Sequence, residues 1–266
     1  MRKKQRKAMA LMFSMAAILL IVVVVFFGKI KDGELSPKKE KVTTIAYEYN
    51  EIGIDPKDYV DLAEYKIEKM DHSILDGKTK KPLIEIYYEK VNVLYGRTEP
   101  TDTINKLIEN DYNKFLVAVE EENFAKLKSK AKVSKPWHLT YTAEVTNNEG
   151  GILSIKITKD RLVGSAHTTD YYGMTFNINT GKMLTLKDIT HQSESGLKSD
   201  IQPLVWEAVK DNKNLYPDAE YMLNSLEFYE YLYYIQDGEV IVTLPTYTIG
   251  DDKLGAVVVE TGKMAY

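Results

Sequence analysis

Four histidines, His72, His138, His167 and His191, and 39 acidic side chains are the groups in this 266-residue chain that could move protons or hold a metal ion. A zinc site needs His, Cys or carboxylate ligands clustered at short spacing. Here the histidines are scattered, cysteine is absent, and no histidine pair follows the HExxH pattern. There is no G-x-S-x-G elbow to expose a nucleophilic serine. "NNEGG" at 147–151 joins two strand-like runs instead of opening a helix, so it is not a phosphate-cradling loop. No metal or cofactor is therefore expected. A glycosidase-like carboxylate pair is defined by its separation in space, which the sequence does not give.

The most specific local grammar surrounds one histidine, in "GSAHTTDYYGMTFNINTGKMLTLKDI" from Gly164 to Ile189. His167 follows three small residues, where the chain can approach another backbone closely. A neutral imidazole carries one donor and one acceptor, which suits it to pinning a turn to a neighbouring strand. Contact with a ligand, or catalysis with a nearby acid, are the alternatives. Ser165 lies too near in sequence to be presumed its partner.

The elements that position these residues follow from periodicity. Ile84, Ile86 and Tyr88 share one strand parity and Val91, Val93 and Tyr95 the other, which predicts a β-bulge at Glu89–Lys90. After Pro100, Ile104, Leu107, Ile108, Tyr112, Phe115, Leu116 and Val119 recur at helical spacing, with Thr101 or Asp102 as the cap. "HLTYTAEVT" and "ILSIKIT" form a hairpin about "NNEGG". Asn179-Thr180-Gly181 makes a tight turn, and "LKDI" closes the strand that follows it. A second helix runs from about Leu197 to Lys210, with Pro203 accommodated if Ser199 or Asp200 begins it. "FYEYLYYIQDGEVIVTLPTYTI" reads as a last hairpin turning at Asp237–Gly238. The pattern predicts an α+β fold with antiparallel sheets and two main helices.

Upstream, "MRKKQRK" precedes 21 uncharged residues from Ala8 to Gly28. As a helix these reach about 31 Å, matching a hydrocarbon core of roughly 30 Å. The basic block sets the N-terminus inside. A cleaved signal peptide is the competing reading, but the apolar run is long and ends in bulky residues with no small-x-small site. The expectation is a cytoplasmic tail at 1–7, a transmembrane helix at 8–28, a stalk at 29–59, an N-terminal α+β subdomain at 60–134 and a C-terminal domain at 135–266. Beyond the span, 30 basic residues face 39 acidic ones, a net charge of −9 that argues against a nucleic-acid partner.

The stretch "LSIKI…GSAHTTDYYGMTFNINTGKMLTLKDI" resembles the C-terminal extracytoplasmic domain family of RsiV-type anti-sigma factors. Gly164, Ala166, His167, Thr180, Gly181, Lys182, Leu186, Lys187 and Asp188 match its motif in order. "FYEYLYYIQDGEVIV…YTI" is similar to the family's final hairpin. The resemblance implies a receptor domain that binds lysozyme, with contacts falling on Pro245 and Tyr247. Only about seven residues precede the span, so a sigma-binding segment is not expected, and "YTIGDDKLG" stands where the family has Tyr-x-Ile-Ala-Pro.

Together these readings predict a non-enzymatic, membrane-anchored module that binds a cell-envelope ligand, such as cell-wall glycan, or an extracellular protein such as lysozyme. Tyr229, Tyr231, Tyr233 and Tyr247, on the exposed edge of the last hairpin, are the expected contacts beside His167 and Pro245. Tyrosines on a rigid sheet supply contact area at low entropic cost. The alternative is a cell-wall hydrolase or deacetylase using His167.

Overall fold

A computed structural model describes Asp55 and residues 58–95, 98–129, 135–163 and 166–265. The expected basic tail, membrane span and nearly all of the stalk lie outside the described residues, as do Gly164 and Ser165. Among the described residues, no helix is long and apolar enough to cross a membrane. Tyr49–Tyr266 forms one compact unit.

Five strands build the larger sheet in chain order: β1 (Glu64–Leu75), β2 (Pro82–Tyr95), β3 (Trp137–Glu149), β4 (Ile152–Val163) and β5 (Ala166–Asn177). Neighbours pair antiparallel except β2 and β3, which run parallel from Ile84↔Trp137 to Tyr88↔Tyr141. A parallel pair needs a crossover, and helix α1 (Thr98–Ser129) supplies it. The expected 134/135 division therefore falls in this crossover, between two strands of one sheet. The helix starts earlier than expected and takes Pro100 into its first turn, where a missing N–H costs nothing. Its stripe of Ile104, Ile108, Tyr112 and Phe115 is buried in one core with Ile84, Ile86, Tyr88, Leu139, Tyr141, Ile155, Ile157 and Met174.

The β-bulge expected at Glu89–Lys90 is absent from the β1–β2 ladder, which keeps its register from Tyr65 to Ile74. Burial does change parity there, and the cause is a change of neighbour. β2 leaves β3 after Tyr88, and α1 takes over the vacated edge. The Asn105 side chain accepts from Val93 N (2.9 Å) and donates to Val93 O (2.9 Å), replacing a strand with an amide.

Two turns form as expected. Gly150 and Gly151, at φ 61° and 74°, close the β3–β4 hairpin, and Asp237–Gly238, at 51° and 78°, closes the last one. After the Asn179–Gly181 turn the chain departs from the expected strand, because "LKDI" forms a short helix, α2 (Leu186–Thr190). The Thr185 hydroxyl accepts from Asp188 N, and the Asp188 carboxylate accepts from Thr185 N (2.8 Å), a capping box. Helix α3 (Glu194–Val209) begins at its Ser193 cap, so Pro203 sits in its interior and not in a first turn. Leu197, Ile201, Val205 and Val209 line its buried side. Helix α4 (Ala219–Ser225) follows. Among the described residues, α2 and α4 bring the two main helices expected to four.

The smaller, antiparallel sheet holds β6 (Leu232–Gln236), β7 (Glu239–Leu244) and β8 (Val257–Met264), with β7 central. From Val240 to Leu244 every residue of β7 is buried, the mark of a strand covered on both faces. This sheet docks on the larger one by backbone approach. Ile235 N donates to Ser154 Oγ (2.9 Å), and Thr243 Oγ1 donates to Tyr171 O (2.7 Å). A Cβ at Gly173 would lie 2.1 Å from Tyr233 O, so only glycine fits that crossing.

Gly173→Ala should lower stability by about 1–3 kcal/mol through overpacking, read as a lower urea midpoint. Asp188→Ala should cost about 1–2 kcal/mol by removing the capping box. Burial opposes ionisation of Asp188, but Lys182 and the Thr185 donors outweigh it and hold the carboxyl at about 2. That stabilisation is present above the ordinary carboxylate range and is lost as pH falls toward 2. The gap between wild type and variant should therefore narrow over that interval in denaturation curves.

Candidate functional site

The second sheet covers only part of the larger sheet's face. Beyond it, cross-strand register lines up side chains that share the uncovered side. One row runs Glu85, His138, Leu162, His167 across β2 to β5, and the next runs Tyr87, Thr140, Asp160, Thr169. His138, Leu162 and His167 are exposed and the other five are half-buried. The result is a polar surface with a single aliphatic side chain between two imidazoles.

Its charges are tied in pairs. His167 Nε2 lies 2.6 Å from Asp160 Oδ1, which also accepts from Thr169 Oγ1 at 2.7 Å. His138 Nδ1 lies 3.2 Å from Glu85 Oε2. Tyr87 donates to Glu89 Oε1 (2.7 Å), and Lys69 lies 2.9 Å from the same oxygen. The Tyr87 hydrogen bond, reinforced by Lys69, lowers the Glu89 pKa against a smaller burial effect. Among the described residues, no three His, Cys, Asp or Glu side chains group so as to hold a metal ion.

The opposite, helix-covered side holds the polar network that fixes α1 over the sheet. Asp111 Oδ2 accepts from Tyr141 Oη (2.8 Å) and, by a shorter bond, from Tyr172 Oη. Burial first, then the Asp111 charge, pushes the Tyr141 hydroxyl far above the ordinary phenol range. The Tyr172 hydroxyl is raised by burial, with Tyr141 and Asp111 adding to it. Tyr112 packs edge-on against Tyr141 and stacks on Tyr88. Both phenols thus stay protonated donors, and one carboxylate locks helix, β3 and β5 together.

The structure separates the expected contact residues. His167 is exposed near the start of β5, and its ring pairs with Asp160 on the adjacent strand. The tyrosines do not share one exposed edge. Tyr231 is buried, its hydroxyl donating to Leu223 O (3.3 Å), and Tyr233 is half-buried and donates to Leu184 O. Phe228–Glu230 is a 3-10 turn, not strand, and Tyr229 projects from it 79% exposed. Pro245 and Tyr247 belong to the loop after β7, where Tyr247 is exposed at φ 72°. Thr246 fastens that loop to β5, its N donating to Asp170 Oδ1 (2.7 Å) and its hydroxyl to Thr169 O (3.4 Å). The residue preceding Tyr247 is therefore tied to Thr169, two positions along β5 from His167. Glu85, Thr140, Asp160 and Thr169 were not singled out from sequence, and His138 was named only among the scattered histidines. The polar parity of "HLTYT" was visible, but its alignment with "HTT" depends on register across three strands.

A family profile described as Deacetylase PdaC matches residues 78–170. No curated protein matches the chain. The fold is shared with a crystal structure of a DUF3298 family member from Bacteroides fragilis, at 14% identity and a TM-score of 0.50, covering 76% of this chain and 91% of that one. A DUF3298 family protein from Pseudomonas aeruginosa PAO1 aligns at 14% identity and a TM-score of 0.49 over the same shares.

Because the His167–Asp160 pair is exposed, His167→Ala should change stability by less than about 1 kcal/mol. Asp111→Ala strands two hydroxyls and should cost about 2–4 kcal/mol. Chemical denaturation of the two variants side by side checks the contrast.

Proposed function

We propose that this chain is an extracytoplasmic recognition domain, held at the membrane by its apolar N-terminal segment, that binds a cell-wall glycan on the uncovered face of the larger sheet. The observation that carries the reading is the double row from Glu85 to His167 and from Tyr87 to Thr169, exposed or half-buried on a sheet backed by α1. Sugars present hydroxyls that both donate and accept. Thr140, Thr169, Asp160 and the two imidazoles offer complementary groups at strand spacing, while Tyr87 and Leu162 give apolar contact to ring faces. Little side-chain freedom remains to be lost on binding, because Asp160 already orders His167 and Thr169.

The RsiV-type resemblance adds lysozyme as a protein partner, with the exposed Tyr247 loop as its contact. The match to a profile described as a deacetylase is consistent with a cell-wall setting. A catalytic reading has one observation in its favour, the 2.6 Å approach of His167 Nε2 to Asp160, which orients an imidazole as a general base requires.

One set of variants distinguishes these readings. The unit Tyr49–Tyr266 should sediment with purified peptidoglycan, and Thr140→Ala with His167→Ala should weaken binding by about tenfold or more at unchanged melting temperature. Failure of the folded wild type to sediment would refute the glycan reading. Acetate release from peptidoglycan, lost in His167→Ala and Asp160→Asn, would establish catalysis instead. Saturable binding of lysozyme that weakens in Tyr247→Ala would assign the protein partner.

A further inference from the structure

On the helix-covered side of β4, the alternating apolar series Leu153, Ile155, Ile157 continues into Lys159 and Arg161. Both positions belong to the same side of the strand, about 7 Å apart. The Lys159 ammonium rests 4.3 Å from the centre of the Tyr172 ring and 5.9 Å from those of Phe115 and Tyr141. Burial is the leading cause lowering its pKa, with Arg161 adding to it and Asp111 and Asp170 opposing. Among the described residues neither cation has a carboxylate within 4.0 Å, whereas seven other lysines do: Lys66, Lys69, Lys90, Lys156, Lys182, Lys210 and Lys263. The two acids that act on Lys159 do so from beyond ion-pair distance, and both also accept hydrogen bonds. Asp111 accepts from two phenols, and Asp170 accepts from Thr246 N. Arg161 Nε is buried and makes no hydrogen bond, the one such side-chain nitrogen or oxygen among the described residues.

An unpaired buried donor beside a second cation without a direct ion pair is costly to maintain, and an oxyanion relieves both costs at once. We propose that Lys159 and Arg161 form a subsite for an oxyanion, a carboxylate or phosphate group, distinct from the polar face on the other side of the sheet. Arg161 offers a planar fork of N–H donors for two oxygens, and Lys159 adds a point charge held over aromatic rings. Ligands of this class include acidic sugars and polyol phosphates.

The test uses the full chain in detergent and calorimetric titration. Tetragalacturonate supplies carboxylates, its methyl ester is the neutral control, and glycerol phosphate supplies the phosphate. We expect one charged probe to bind, the neutral ester to bind at least about tenfold more weakly, and Arg161→Gln and Lys159→Gln each to weaken binding about tenfold. Preference between galacturonate and glycerol phosphate identifies the oxyanion. Arg161→Lys, which keeps the charge and loses the fork, should fall between, and it carries the test if the glutamine variant does not fold. His167→Ala should leave this binding unchanged, which separates the subsite from the glycan face. Absence of binding by wild type to either charged probe at about 10 mM, or equal binding by wild type and folded Arg161 variants, would overturn the assignment.

Discussion

The parallel pairing of β2 with β3 constrains everything else in this domain. Two parallel strands cannot be joined by a tight turn, so the chain must cross the sheet, and it does so as α1. One sheet face is thereby committed to the helix. Asp111 secures the arrangement by accepting hydroxyls from β3 and β5 together, in surroundings where leaving either phenol unpaired would be expensive.

With one face taken, the second sheet must dock on the other, and its position is set by the strand that lets backbone approach backbone. Gly173 provides that point, with Ser154 and Thr243 turning the contact into hydrogen bonds. A three-stranded sheet cannot span the whole face. The remainder, from Glu85 across to His167, stays open and polar. That open area results from the mismatch in extent between two sheets.

Asparagine amides do much of the joining. Asn105 completes the edge of β2 at Val93, Asn148 pairs with Ala63, and Asn179 pairs with Val60. Each presents one donor and one acceptor in the geometry of a peptide unit, so a side chain substitutes for a strand where the chain cannot supply one. The Asn148 and Asn179 clamps tie residues 60–63 to the two hairpin ends.

Local order was written in the sequence. The period-3.6 stripe from Ile104 to Phe115, the Asp237–Gly238 turn and the Asn179–Gly181 turn depend on near neighbours, and each formed where its residues placed it. "TLKD" carried its own capping box, although strand periodicity before it masked the signal. What the sequence could not determine is which strands lie side by side. The alternation of His138, Thr140, Asp160, His167 and Thr169 marks them as one side of three strands, but only pairing through β4 sets them in rows. Likewise Tyr229, Tyr231 and Tyr233 read alike in sequence, and tertiary packing alone exposes the first and draws the other two inward. Turns and helices are decided by residues a few positions apart, whereas a surface is assembled from contacts whose partners are distant along the chain.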